Sequence, residues 1–280
     1  MSEPWTVDLA PERSLHAVQA GKGPHLVLLH GALATHSDWL EGPFDRLARD
    51  FRVTAVDRPG HGLSRRPRFE GTPRDQAAQI AAGLDALGVG RVLLVAHSMG
   101  GLVALAMAER FPDRVAGLVL LAPIAFPEPR LLEHSLLAPR SAPLIGPVLS
   151  AMGEATIDRP LLKTVQRLMF APQPVPTSWE ERYPYEQILN TEAMVREGEE
   201  TAAILPFSPA ATIDLRAIRA PAHIVTGTAD RVVDPDRHAR PLAALLPGSR
   251  LTELEGIGHM PHHVAAGPVV EAVRDAAALA

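Results

Sequence analysis

The chain contains no cysteine. Disulfide cross-links, thiolate metal sites and a cysteine nucleophile are therefore excluded. Aromatic residues are scarce, at 4% of 280 positions. No apolar run reaches the roughly 18 residues of a membrane-spanning helix, and the longest, 115–127, is broken by Gly117 and Pro123. Basic charge is not in excess either, since 27 Lys and Arg stand against 32 Asp and Glu. Binding a phosphate backbone needs a concentrated basic surface, which argues against nucleic acid. The one basic cluster, Arg65-Arg66-Pro67-Arg68, is short and reads as a solvated loop. The start, Met1-Ser2-Glu3-Pro4-Trp5, lacks the basic and then apolar regions of a signal peptide. These features lead us to expect a cytoplasmic protein with a small-molecule substrate, no nucleic-acid partner and no membrane segment. They do not specify an oligomeric state.

At 46% hydrophobic, the chain can bury a sizeable core. Short apolar runs at 15–20, 25–30, 52–57, 92–96, 117–122, 223–227 and 250–255 read as strands. Helical spacing occupies 73–87, 99–110, 235–246 and 264–279, with Pro73 and Gly88 as start and stop signals for the first of these. This alternation predicts an α/β fold with a mostly parallel central sheet flanked by helices. Residues 124–210 interrupt it, with 12 of the 27 prolines, six of the 12 aromatics including Phe207, and no convincing strand. A surface appendage would not need that apolar load. The expected organisation is a core of 1–123 and 211–280 with a helical cap, 124–210, inserted between two core strands.

The chemistry centres on Ala96-His97-Ser98-Met99-Gly100-Gly101, where a buried strand runs directly into a helix. Small-x-Ser-x-Gly at such a junction is a nucleophile elbow. The tight turn strains the serine backbone and lifts its hydroxyl clear of the sheet. Residues two before and two after must be small, and here they are Ala96 and Gly100. Acyl transfer also needs donors for the oxyanion. The Met99 N–H, at a helix N-terminus, is one candidate, and the Ala32 N–H, in the loop after the apolar strand ending at His30-Gly31, is the other. His30 itself reads as a group that holds its own loop.

An orienting acid should end a later strand, and Asp230, three residues after Gly227, fits. Asp234 and Asp236 suit turn or helix-start positions better, one before Pro235 and one just after it. Ala122-Pro123-Ile124-Ala125-Phe126 offers no carboxylate as an alternative. The base is His259, in a loop whose glycines, Gly256 and Gly258, let it arch back over the sheet edge. A metal site made of His259, His262 and His263 lacks an acidic companion at ligand spacing, and Pro261 breaks any helical pair across it. His262 and His263 read instead as structural or exposed groups at the mouth of the next helix. Leu33, Phe170, Trp179, Val232 and Met260 are the candidate substrate-binding residues: two aromatics of the cap and three apolar neighbours of the oxyanion loop, the acid and the base.

The order Ser98, Asp230, His259 and the stretches His30-Gly31, Asp57-Arg58-Pro59-Gly60-His61-Gly62-Leu63-Ser64, Ala96-His97-Ser98-Met99-Gly100-Gly101, Gly227-Thr228-Ala229-Asp230 and Gly258-His259-Met260-Pro261 resemble the α/β-hydrolase superfamily. The resemblance spans roughly 15–125 and 212–280 but not the cap. It departs from the usual pattern in Ala96, where the elbow more often has glycine. It implies the α/β-hydrolase fold and a serine hydrolase with neither cofactor nor metal. Families of this kind that resemble dehalogenases and epoxide hydrolases carry Asp at the elbow, so Ser98 points away from both. Carboxylesterases, lactonases, perhydrolases and hydrolases of carbon–carbon bonds in ring-cleavage products all share the triad. A small to medium apolar carboxylic ester is the expected substrate, judged from the apolar cap, with carbon–carbon bond hydrolysis as the alternative. A ligand receptor on the same fold can keep the triad without turning over.

Overall fold

The computed structural model describes residues 2–127, 131–205 and 213–279. Phe207 and the expected core–cap boundary at 210/211 lie outside the described residues. The strands are β1 (Glu3–Ala10), β2 (Arg13–Ala20), β3 (His25–Leu29), β4 (Arg52–Val56), β5 (Val92–His97), β6 (Val115–Leu121), β7 (Ala222–Gly227) and β8 (Arg250–Leu254). They form one eight-stranded sheet in the order β1-β2-β4-β3-β5-β6-β7-β8. From β4 to β8 every pairing is parallel, while β2 pairs antiparallel with both β1 and β4.

Parallel strands covered on both faces are expected to be apolar throughout, and β5 is buried at all six positions. Successive side chains point to opposite faces, so each strand feeds two cores. Val27, Leu29, Leu94, Ala96 and Leu120 pack on one side with α3 (Pro73–Ala86) and α4 (Met99–Arg110). Leu26, Leu28, Val95, Val119 and Leu121 pack on the other with α1 (Ser37–Leu40), α2 (Phe44–Leu47) and α13 (Ala266–Ala278). Helix α3 begins at a reciprocal cap in which Thr72 and Asp75 satisfy each other's backbone N–H groups, with Pro73 at the first helical position.

Between β6 and β7 the described residues form helices joined by loops, with no strand. They run through α5 (Leu131–Leu136), α6 (Ile145–Ala155), α7 (Asp158–Phe170), α8 (Thr177–Arg182), α9 (Tyr185–Ile188) and α10 (Thr191–Ala203). The C-terminal part adds α11 (Ala239–Leu245) and α12 (Pro261–Val264). No helix among the described residues is long and apolar enough to cross a membrane.

Three local expectations need correction. Strand β1 was not foreseen, because an edge strand with mostly exposed residues carries no buried apolar run and is defined only by its pairing with β2. The helix expected over 235–246 starts only at Ala239, since His238 takes a non-helical conformation and accepts the Ala125 N–H at Nδ1. The helix expected over 264–279 breaks at Ala265, whose φ of −137° divides α12 from α13.

Candidate active site

Ser98 sits between the end of β5 and the first turn of α4, with φ 51° and ψ −117°. Positive φ is costly for a residue with a side chain, and three backbone bonds hold it there. The Ser98 N–H donates to Leu121 O at 3.0 Å, and the Ser98 carbonyl accepts from Gly101 and Ile124. Gly100 is obligatory at this turn, since a Cβ there would lie 2.6 Å from the His30 carbonyl oxygen. Ala96 is fully buried, so a methyl group fits on the strand side of the turn.

The loop after β3 carries Gly31, Ala32 and Leu33. His30 accepts the Arg58 N–H at Nε2 and so must donate from Nδ1, which reaches the Gly31 carbonyl at 2.8 Å. Burial, reinforced by Arg58 and His61, lowers the His30 pKa to about 3 and keeps the ring neutral. Arg58 Nη2 donates to the same Gly31 oxygen at 2.9 Å. A trans peptide points its C=O and N–H in opposite directions, so fixing Gly31 O also fixes the direction of the Ala32 N–H.

Asp230 and His259 meet through a 2.8 Å bond between Oδ2 and Nδ1, and both side chains are buried. The other Asp230 oxygen accepts the Val232 and Val233 N–H groups at 2.8 and 2.9 Å. These bonds fix that oxygen and leave Oδ2 aimed at His259. Asp234 and Asp236 stay exposed and act locally: Asp234 accepts the Asp236 N–H at 2.9 Å, and Asp236 pairs with Arg240. The His259 loop is held from above by the helical segment. The His259 N–H donates to Met169 O at 3.1 Å, and Gly258 packs so closely on Ala171 that a Cβ would lie 2.1 Å from its carbonyl oxygen.

Ser98, Met99, Ala32, Leu33, Val232 and His259 open onto one cavity. Its far walls are apolar side chains of the helical segment, among them Leu137, Leu161, Leu162, Val165, Met169 and Met194. A buried Arg140–Asp158 pair, bonded twice at 2.7 Å, also lines it. Phe170, Trp179 and Met260 do not line this cavity. They pack on one another as a separate buried cluster, in which Trp179 donates to Asp38 at 3.0 Å. Aromatic content marked residues that need burial without showing which cavity they face.

His262 and His263 are held inside rather than exposed, each donating to Asp38, at 2.9 and 2.8 Å. Burial, with His263 beside it, lowers the His262 pKa to about 4 despite Asp38. The basic cluster also needs correction. Arg66 is buried and pairs with Glu199 of α10 at 2.6 Å, and Arg68 pairs with the same carboxylate. Asp38 and the Glu197, Glu199 and Glu200 group escaped the sequence reading, because acidic residues on a helix usually face water and their partners lie more than 100 positions away.

His97 was also missed. Its Nε2 donates to the His259 carbonyl at 2.9 Å, while burial and the neighbouring His262 and His259 keep its pKa well below the ordinary value. Three groups bring metal-type ligand atoms within 4.8 Å among the described residues: His16, His36 and Asp57; Asp38, His262 and His263; and His61, Glu197 and Glu200. His259 belongs to none of them, so the three histidines at 259–263 do not converge on one point.

A family model of the α/β-hydrolase fold matches residues 24–266. The chain belongs to the α/β-hydrolase family. Within that family, an uncharacterized protein of Mycobacterium tuberculosis is 30% identical over 91% of this chain and 78% of its own length. A pimeloyl-[acyl-carrier protein] methyl ester esterase of Nitrosomonas europaea is 41% identical over 39% of this chain and 41% of that protein. Among solved structures, the enol-lactonase of Burkholderia xenovorans superposes with a TM-score of 0.71 over 95% of this chain and 97% of that one, at 24% identity. That likeness establishes the shared α/β-hydrolase fold, and membership of the family makes this chain a hydrolase.

Proposed function

We propose that the chain is a serine hydrolase of small to medium apolar carboxylic esters, working through an acyl-enzyme. The observation that carries this reading is that the strained Ser98 and the His259 that Asp230 holds open onto the same apolar cavity. With Nδ1 committed to Asp230, His259 offers Nε2 as the base. It takes the Ser98 proton as Oγ attacks the ester carbonyl. The Met99 and Ala32 N–H groups receive the oxyanion, and the dipole of α4 favours negative charge at its first turn. His259 then protonates the leaving alcohol, and water repeats the sequence on the acyl-enzyme. Neither a cofactor nor a metal takes part.

The segment 124–210 serves in this reading as a cap over the cavity. Its leucine, valine and methionine lining favours an alkyl acyl chain. The pairing of Arg140 with Asp158 leaves no free charge from that pair for an ionic substrate. Labelling by a fluorophosphonate probe, followed by turnover of p-nitrophenyl esters of increasing chain length, tests the reading. Wild type should label at Ser98 and turn over many times. Labelling without turnover would mark a receptor, and turnover of a ring-cleavage diketone in place of any ester would mark a carbon–carbon bond hydrolase.

A further inference from the structure

Leu33 follows the proposed oxyanion donor directly and has φ 51°, a conformation that a side-chain-bearing residue keeps only when its surroundings hold it. Both polar groups of its backbone are held by side chains of the helical segment. Its N–H donates to Glu197 Oε1 of α10 at 2.5 Å, and its carbonyl accepts the Tyr183 hydroxyl. Glu197 is 2% exposed, so solvent does not compete for this bond. Behind it, His61 Nε2 lies 3.3 Å from Oε1.

The two peptides that flank Ala32 are thus fixed from opposite sides. The Gly31–Ala32 peptide is fixed through its carbonyl by His30 and Arg58, both on the core. The Ala32–Leu33 peptide is fixed through its N–H by Glu197, on the helical segment. One helix serves both clamps, because Glu200, one turn beyond Glu197, is the carboxylate that Arg58 grips. An N–H can stabilise a developing oxyanion only if it is aimed before the charge appears. His30 and Arg58 aim the Ala32 N–H through the Gly31 carbonyl, and Glu197, by holding the next peptide, keeps the rest of the loop from pulling that donor off its aim.

We infer that Glu197 is a positioning residue for the oxyanion loop, assisted by Tyr183, and that the helical segment thereby helps to assemble the catalytic site as well as enclosing substrate. This inference rests on the proposed reading of Ala32 as an oxyanion donor. Glu197 touches neither substrate nor a reacting atom and acts through the Leu33 N–H.

The test compares Glu197→Leu, Glu197→Gln and Tyr183→Phe on p-nitrophenyl acetate, a substrate too short to reach far into the cavity. Removing a whole oxyanion donor costs about 10²–10³ in kcat, so misaiming one should cost part of that. Glu197→Leu should lower kcat by about 10–100-fold with KM within about threefold, and weaken an alkyl trifluoromethyl ketone inhibitor by the same factor, since that inhibitor forms the oxyanion. Glu197→Gln keeps an acceptor for the Leu33 N–H and should recover most of the loss. Tyr183→Phe should lower kcat by about threefold to tenfold.

Unchanged kcat in folded Glu197→Leu, a loss confined to KM, or a kcat loss without weaker inhibitor binding would overturn the inference. If Glu197→Leu does not fold, Tyr183→Phe decides alone: a kcat loss at constant KM supports it and wild-type kcat overturns it. Fluorophosphonate labelling of wild-type Ser98 keeps the two readings apart. Its failure sinks the serine mechanism, whereas labelling and turnover together with an indifferent Glu197→Leu sink only the positioning role.

Discussion

The two parts of the molecule differ in how much directional polar bonding is added to apolar packing. The sheet and its flanking helices are joined by apolar side chains, as in the layer of Leu26, Leu28, Val95, Val119 and Leu121 under α13. The helical segment is joined to that core by apolar packing too, as where Phe170 and Trp179 meet Met260, but it adds a set of buried polar bonds. Arg58 grips Glu200, Arg66 and Arg68 share Glu199, Trp179 donates to Asp38, Tyr183 to Leu33, and the His259 N–H to Met169. Apolar contact is non-directional and tolerates sliding. A bidentate arginine pair or a buried N–H bond does not. The second kind of joint suits a part whose position sets the shape of a reaction site, and it makes the segment sensitive to the loss of single partners.

The sharpest break in the comparison should lie at the reaction centre, which the core supplies. Ser98→Ala should reduce ester turnover by at least about 10³-fold while leaving the thermal midpoint near that of wild type, because the side chain sits at a turn and not in a packed layer. Purified variant retaining activity within a few-fold of wild type would remove Ser98 from the mechanism. Asp230→Asn follows, with a loss of about 10²–10⁴ in kcat from an imidazole held in the wrong tautomer. Asp234→Asn should cost less than about tenfold, as expected for a local turn group. A reversal of these two outcomes would reassign the acid.

The joint between the two parts is tested by Glu200→Leu, which leaves Arg58 buried without its carboxylate. Breaking a buried pair this way costs about 3–5 kcal/mol, whereas Asp50→Ala at the exposed Arg274 pair should cost under about 1 kcal/mol. Denaturant midpoints measure both, and equal values would mean that the buried joint holds no more than a surface pair. Within the segment, Leu161→Trp should narrow the cavity and lower kcat/KM for octanoate by about tenfold while acetate stays within about threefold. Trp179→Phe should shift stability without altering the chain-length profile, because Trp179 lies outside that cavity.

Stability should also depend on pH. His262 and His30 are held neutral by burial, with pKa values of about 4 and about 3. An unfolded histidine titrates near ~6.5, so below that pH the unfolded chain binds protons that the folded chain does not. The stability these residues contribute is complete above about 6.5 and is lost as pH falls toward 4 and then 3. For Glu200, burial pushes the carboxyl up, but Arg58 and His61 outweigh it and bring the pKa to about 2. Its contribution is lost only as pH falls from about 4.5 toward 2. The thermal midpoint should therefore decline already between pH 6.5 and 5. A midpoint flat over that interval would contradict the buried neutral histidines.

The α/β architecture, the strained turn at Ser98 and the strand-end and loop settings of Asp230 and His259 were legible in the sequence, because each depends on residues close together in the chain. An apolar strand, a glycine two residues past a serine, and a carboxylate at a strand end are local demands of sterics and burial. What escaped were the partners and the faces. Arg66 reads as solvent-exposed until Glu199, 133 residues on, is brought against it. His262 and His263 read as surface groups until Asp38 arrives from α1. Phe170 and Trp179 announce burial by composition, yet only the packing of α7 and α8 against Met260 turns them away from the cavity that Leu162 and Met194 line. Local sterics are written residue by residue. Pairing across more than a hundred positions depends on where the helices come to rest, and that is decided by the tertiary structure as a whole.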